Sequence, residues 1–321
     1  MINNTFIYLF LILSQVLSNS SWYFQKDDLW NNSVSSRSSA LGGVYLEKFE
    51  QFEDMANLKN LEIESDKIKV FSSRVYGNSI KYSNIFYTKK VGGLIIFGNK
   101  ISFIRFGLLN RRINDIANTI EIWNDELSPP LTPDDLNGNS IDYYNHNDFS
   151  ASVFIPIVND IGQFSLNLKS GFSKIGPASS KSLNVDLSFL CSPNNSFHIG
   201  MSINNLFSFK KWYNEIEERF YPYLSVLMNY NYQKSSIFLE IRDFYLDLNY
   251  IQDKYRLSDN IGIGLEYLIY KDLYFRGGYS NYQASLGLGI NLYDMVFDYS
   301  YLNHDYLGKT AQISVAFLVG K

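Results

Sequence analysis

One pattern limits this chain more than any other. Between Leu257 and Phe317, apolar residues alternate strictly with small or polar ones. Ile261, Ile263, Leu265, Tyr267 and Ile269 alternate with Gly262, Gly264 and Glu266, and Leu286, Leu288, Ile290 and Leu292 alternate with Gly287, Gly289 and Asn291. Met295, Phe297, Tyr299 and Tyr301 alternate with Asp294, Asp298 and Ser300, and Ile313, Val315 and Phe317 with Gln312, Ser314 and Ala316. A period of two places side chains on opposite faces of a strand. The breaks at Lys271-Asp272 and Asn281-Tyr282 are short, so a meander of antiparallel hairpins follows.

A secreted β-sandwich and a membrane barrel both alternate. Two features favour the barrel. Tyrosines gather near the strand ends (Tyr267, Tyr270, Tyr279, Tyr293), where an interfacial girdle sits, and an aromatic, Phe317, lies near the end of the last strand. The mean hydropathy of −0.14 is too low for a helical membrane protein. It suits a barrel, in which every second residue meets lipid. No stretch approaches the ~18 apolar residues of a spanning helix, so membrane residence requires strands.

Earlier segments extend the pattern. Strands are expected at 67–75, 78–87, 91–97, 100–109, 147–157, 162–172, 182–191, 196–206, 223–232 and 235–244, about 13–15 in all. The fold class expected is an all-β transmembrane antiparallel barrel of about 14 strands with a short N-terminal plug or helix segment. Residues 1–20 read as a signal peptide, with an apolar run from Phe6 to Leu13 and small residues after it. Residues 21–321 form one barrel domain, in which 22–61 is the plug segment. Within that segment Phe49, Phe52, Met55, Ala56 and Leu58 have helical spacing over Glu47–Leu61. Residues 111–146 form the longest loop and 207–219 a charged aromatic one. Long loops of outer-membrane barrels face outward.

The chain carries no specific catalytic constellation. His146, His198 and His304 lack metal-ligand spacing, and the single Cys191 allows no internal disulfide and reads as a packed thiol. The glycine pairs Gly42-Gly43, Gly92-Gly93 and Gly277-Gly278 suit bends and bulges. A net charge of −4 gives no reason to expect nucleic acid as a partner. One oxygen-rich stretch, Asp135, Asn137, Asn139 and Asp142, offers ligands at alternate positions, as Ca²⁺ prefers. An Asx-rich, self-capped turn explains the same residues. Ser140 stands where Ca²⁺ loops place glycine, and His146 where they place a bidentate Glu. No other cofactor is expected.

Three places resemble the PorV/PorQ family of outer-membrane proteins, a branch of the fatty-acid-transporter-like barrels. They are Arg37-Ser38-Ser39-Ala40-Leu41-Gly42-Gly43-Val44-Tyr45-Leu46, the Asn204-Asn205-Leu206 turn with a restart at Pro222, and Asp298-Tyr299-Ser300-Tyr301 through Leu307-Gly308-Lys309-Thr310 to Ser314 and Phe317. The family's N-P-A motif is replaced by Ala56-Asn57-Leu58, and the chain runs past Phe317 to Lys321. The resemblance implies a non-enzymatic protein of the Gram-negative-type outer membrane. Its partners would be outer-membrane lipid and the barrel-assembly machinery. Its work would be in type IX secretion, with that system's components as partners, or in passage of a small hydrophobic molecule through a plugged lumen. A secreted β-sandwich binding protein is the remaining alternative.

Overall fold

In the computed structural model, the residues that would form a soluble protein's core face outward. Ile263, Leu265, Leu286, Leu288, Ile313 and Phe297 are exposed, whereas Asp298, Ser300, Glu266, Arg276 and Ser314 are buried. An apolar exterior around a polar interior is stable only in lipid, which decides for the barrel over the sandwich. The structure describes residues 21–23, 35–44, 66–75, 79–96, 99–118, 142–158, 162–245, 260–280, 283–305 and 308–319.

The chain order begins with β1 (Ser21–Tyr23), α1 (Ser36–Ala40), β2 (Asp66–Val75), β3 (Ile80–Ile96), β4 (Asn99–Asn118) and β5 (Asp142–Val158). It continues with β6 (Gln163–Ile175), β7 (Ala178–Cys191), β8 (Phe197–Trp212), β9 (Glu217–Phe220), β10 (Tyr223–Tyr232) and β11 (Ser235–Tyr245). It ends with β12 (Ile261–Tyr270), β13 (Leu273–Ser280), β14 (Gln283–Leu292), β15 (Met295–His304) and β16 (Gly308–Val319). All but β1 and β9 make a closed antiparallel barrel of 14 strands. Closure comes from β16 pairing with β2, Val315 opposite Val70, on one side, and from β7 pairing with β8 and β8 with β10 on the other. Full closure leaves no unpaired edge in the wall. β9 folds back on the top of β8, Lys210 opposite Glu218, and β1 adds to β9 in parallel.

Strand direction defines two rims. The starts of β2, β4, β6, β8, β10's partner β11, β13 and β15 share one rim, joined by short turns such as Gln233-Lys234, Lys271-Asp272 and Tyr293-Asp294. The longer connections all belong to the other rim, the arrangement of outer-membrane barrels, whose short turns are periplasmic. The wall is uneven. β4 has 20 residues and β5 17, whereas β13 has 8 and β14 10. The β4–β8 side therefore rises above the rest at the long-connection rim, while β3 runs past β2 at the short-turn rim.

Several expected boundaries move. The strands expected at 78–87 and 91–97 are one strand, β3, whose register shifts between Lys90 and Leu94; the Gly92-Gly93 pair lies in that bulge. β4 continues through Asn118 and β5 starts at Asp142, so part of the 111–146 loop is wall. β8 likewise takes six residues of the 207–219 loop. Asn204-Asn205-Leu206 is a bulge inside β8 rather than a turn: Asn205 has φ 54°, its amide donates to Asp186 Oδ1 at 3.0 Å, and the β7–β8 register shifts there. Charged and asparagine-rich residues end strands in most soluble sheets, which is why these stretches read as loops. Here they sit in the tall part of the wall, where polar residues need not meet hydrocarbon. Cys191 is half-buried rather than packed. The signal peptide at 1–20 and the helix over 47–61 lie outside the described residues.

The expected facing of the 294–301 strand holds for Met295, Phe297 and Tyr299 outward and Asp298 and Ser300 inward; Asp294 falls in the turn and is exposed, and Tyr301 is half-buried. Leu288, Tyr299 and Ile313 form one outward row across β14, β15 and β16, near the middle of each strand. Ile313→Arg is therefore expected to lower stability by about 2–4 kcal/mol in urea unfolding from vesicles, and Phe317→Arg, nearer the rim, by much less. A cysteine at 313, in a Cys191→Ser background, should be quenched by a lipid-soluble probe. A cysteine at 300 should resist both lipid-soluble and water-soluble reagents, since Ser300 is 0% exposed.

Candidate functional site

Ser300 is sealed because the lumen is occupied at its level. Residues 35–44 lie inside the barrel, and every residue of α1 is buried. Ser35 caps the helix, its hydroxyl accepting from the Ser38 amide at 3.3 Å. The helix ends at Gly42-Gly43, both left-handed (φ 75° and 68°), with the Gly43 amide donating to the Ser38 carbonyl at 2.9 Å. Glycine accepts that backbone at least cost, so the tight stop is written into the pair.

The plug rests on backbone. A side chain at Gly42 would meet the Ile263 carbonyl at 2.7 Å and the Tyr279 amide at 2.8 Å. On the wall, a Cβ at Gly264 would meet the Leu41 carbonyl at 2.7 Å; one at Gly278 would overlap Leu41 and Gly42, and one at Gly287 would overlap Ala40. The inward glycines of β12, β13 and β14 thus form a seat shaped for residues 40–42. Ser285 fixes the register there, its hydroxyl accepting from the Gly42 amide at 3.0 Å and donating to the Ala40 carbonyl at 2.9 Å. Arg242 adds a bond to the Gly43 carbonyl at 3.2 Å.

Charge locks the seat. Arg37 grips Glu266 with two parallel bonds, Nε to Oε2 at 2.9 Å and Nη2 to Oε1 at 2.8 Å. Arg276 donates to the same Glu266 Oε2 at 2.6 Å and to Asp298 Oδ1 at 2.6 Å. Two guanidiniums and two carboxylates, all buried, alternate along one chain. Bidentate charge-assisted bonds of this kind are among the strongest a side chain makes. Leu41 and Val44 pack with Leu190 of β7, Leu227 of β10 and Phe238 of β11, the strand next to β12, giving a buried apolar cluster. The plug therefore bears on the wall from β7 round to β15. On β12 and β13 it lies nearer the long-connection rim, Gly264 being the fourth residue of β12 and Gly278 the third from the end of β13.

Of the proposed Ca²⁺ ligands, Asp135, Asn137 and Asn139 lie outside the described residues, and Asp142 is exposed at the start of β5. Among the described residues, no group of three or more His, Cys, Asp or Glu is arranged to hold a metal. His146 is in β5 rather than a loop and bonds Asp148 at 2.8 Å and Ser173 at 3.1 Å. The lock residues were not singled out from the sequence. A signal for them existed: Glu266, Arg276 and Asp298 are charges at inward positions of otherwise glycine- and serine-lined strands.

No family model matches this chain, and no curated protein sequence matches it. Its fold is that of outer-membrane β-barrels. The structure described as the TodX monoaromatic hydrocarbon channel deltaS2 mutant shares it with a TM-score of 0.51 at 8% identity, over 89% of this chain and 98% of that one. The toluene transporter TodX of Pseudomonas putida (TM-score 0.48, 8% identity, 89% and 96% covered) and a FadL homologue of Pseudomonas aeruginosa (TM-score 0.49, 11% identity, 90% and 98% covered) are similar at a lower level.

The lock makes a specific forecast. Glu266→Gln leaves Arg37 without its carboxylate partner in a buried site, a loss of about 3–5 kcal/mol for a buried pair broken on one side. Urea unfolding of the vesicle-inserted protein should show it. Lys211→Gln, in an exposed pair with Glu217 at 3.6 Å, should cost far less.

Proposed function

We propose that the protein is an outer-membrane channel that passes small, predominantly apolar molecules through a lumen closed by its own N-terminal plug. The observation that carries this reading is the seat: glycines in three wall strands are matched to residues 40–42, and a four-residue charge chain holds them. A wall cut to receive a plug is a wall built around a passage. The plug's Leu41 and Val44 are packed with Leu190, Leu227 and Phe238, so the closed state is sealed by apolar as well as charged contacts. The shared architecture with a barrel described as a monoaromatic hydrocarbon channel supports the same reading. The exposed apolar band makes outer-membrane lipid the partner of the exterior. Service in type IX secretion, the other role implied by the sequence resemblance, stands second, because a docking scaffold has no need of a lumen fitted to a plug.

Cells carrying the protein in an intact outer membrane should accumulate a labelled monoaromatic compound faster than cells lacking it. Gly278→Val, which sets a side chain into residues 41–42, should displace the plug and raise ion conductance in planar bilayers. Equal uptake with and without the protein, together with unchanged conductance in the Gly278→Val barrel, would remove the channel reading.

A further inference from the structure

The outer face of β2 to β6 carries a row of cations that no neighbouring carboxylate balances. Register places Arg74 of β2 opposite Lys81 of β3, and Lys81 opposite Arg112 of β4. The row continues through Asn147 of β5 to Lys174 of β6. All four basic residues are exposed. Ser73, Asn84 and Leu109, on the alternate positions of the same strands, are buried toward the lumen, so the row points outward. Lys181 of β7, opposite Phe172 and one pair nearer the middle of the wall, adds a fifth exposed cation.

Neighbouring strands lie about 4.7–4.9 Å apart, and like charges directly opposite one another destabilise a sheet. Among the described residues, Arg74, Lys81, Lys174 and Lys181 make no ion pair. Arg112 Nε donates to an uncharged acceptor, Asn114 Oδ1, at 2.7 Å. Lys211, opposite Lys181, shows the contrast, since it has Glu217 at 3.6 Å. On the other side of Arg74 the same row runs into Ala311, Tyr301 and Leu286, which carry no charge. The cations therefore belong to one side of the barrel, not to a belt around it.

Their level is informative. Phe149 and Phe172, paired with each other and exposed, lie two residues from Asn147 and Lys174 toward the middle of the wall. Two residues of a tilted strand rise about 5 Å along the membrane normal. Below them Val70, Ile85 and Leu108 form a further exposed apolar row. The cations thus stand in the headgroup layer directly above a lipid-facing band, at the long-connection rim.

We propose that this face binds the phosphate groups of an anionic lipid of the outward leaflet. The acyl chains of that lipid lie on Val70, Ile85, Leu108, Phe149 and Phe172. Phosphate accepts bidentate bonds from Arg74 and Arg112 and a point charge from Lys81 between them, which turns a repulsive row into a clamp. One molecule supplies both chemistries, negative headgroup above and hydrocarbon below, as the face requires. The site depends on the long-connection rim facing outward and does not rest on the passage reading.

Native mass spectrometry of the full mature protein, released from non-ionic detergent, tests this with three probes: diphosphoryl lipid A, lipid A stripped of both phosphates, and inorganic phosphate. Diphosphoryl lipid A should be retained at concentrations where the stripped form is not, and equimolar inorganic phosphate should not displace it. Lys81→Gln and Arg112→Gln should each weaken retention about fivefold, the effect of one basic residue at a charged bilayer surface. Combined with Arg74→Gln they should weaken it about a hundredfold. Lys234→Gln, the same charge change in the turn between β10 and β11 at the opposite rim, should leave it unchanged. Urea unfolding gives a second readout. In phosphatidylcholine vesicles the triple variant should unfold at no lower a midpoint than the parent, and added diphosphoryl lipid A should raise the parent's midpoint alone. Equal retention of the two lipid A forms, full retention by the triple variant, or displacement by equimolar phosphate overturns the proposal. Hydrocarbon uptake by the triple variant should match the parent's, so failure here is distinct from failure of the channel.

Discussion

A carboxylate clasped between two guanidiniums decides how the inside of this barrel is arranged. Glu266 is far from bulk water, and Arg37 and Arg276 reach it from different directions, one from the plug and one from the wall. Burying such charges is expensive, and the geometry is favourable enough only because both oxygens are used and Asp298 balances the second guanidinium. The position of the helix follows from that balance, and the seat of glycines follows from the position of the helix. The apolar cluster beside the seat completes the fit without adding specificity of its own.

The alternation of β12 to β16 was legible because the two faces differ so sharply. Leu286 and Leu288 against Gly287 and Gly289 can be read in only one register. What could not be read was the reason for the glycines. On sequence alone they suit bends as well as they suit a lumenal neighbour, and that neighbour is some 229 residues away in the chain at the Arg37–Glu266 contact. Arg37 itself sat in view, in the stretch that resembles a barrel entry, but a partner so distant leaves no local signature.

The tall wall was legible least. Arg111, Arg112, Asn114 and Asp115 look like loop residues because they are charged and hydrated, and Asp115 even has a left-handed φ of 56°. They continue the strand because ladder hydrogen bonds cost little to extend where polar side chains face water on both sides. The bulge at Asn205 escaped for the same reason: two asparagines after a strand signal a turn, and only the Asp186 carboxylate, on a neighbouring strand, converts them into a kink that carries β8 onward. The candidate Ca²⁺ stretch is conspicuous for its closely spaced oxygens, whereas the buried serines of the inner wall, spread over β5, β6 and β7, form no local pattern.

The distance along the chain between plug and seat also bears on how the molecule assembles. Residues 36–44 are made first, and β12 to β15 are among the last. The helix has no complete resting place until those hairpins exist, and the loop that must close to join them spans most of the protein, the kind of contact that slows folding. The wall strands β12 to β14, bare of inward side chains at Gly264, Gly278 and Gly287, have little of their own to hold their inner faces apart. The N-terminal segment thus supplies, from the far end of the chain, the inner filling that these glycine-bearing strands lack.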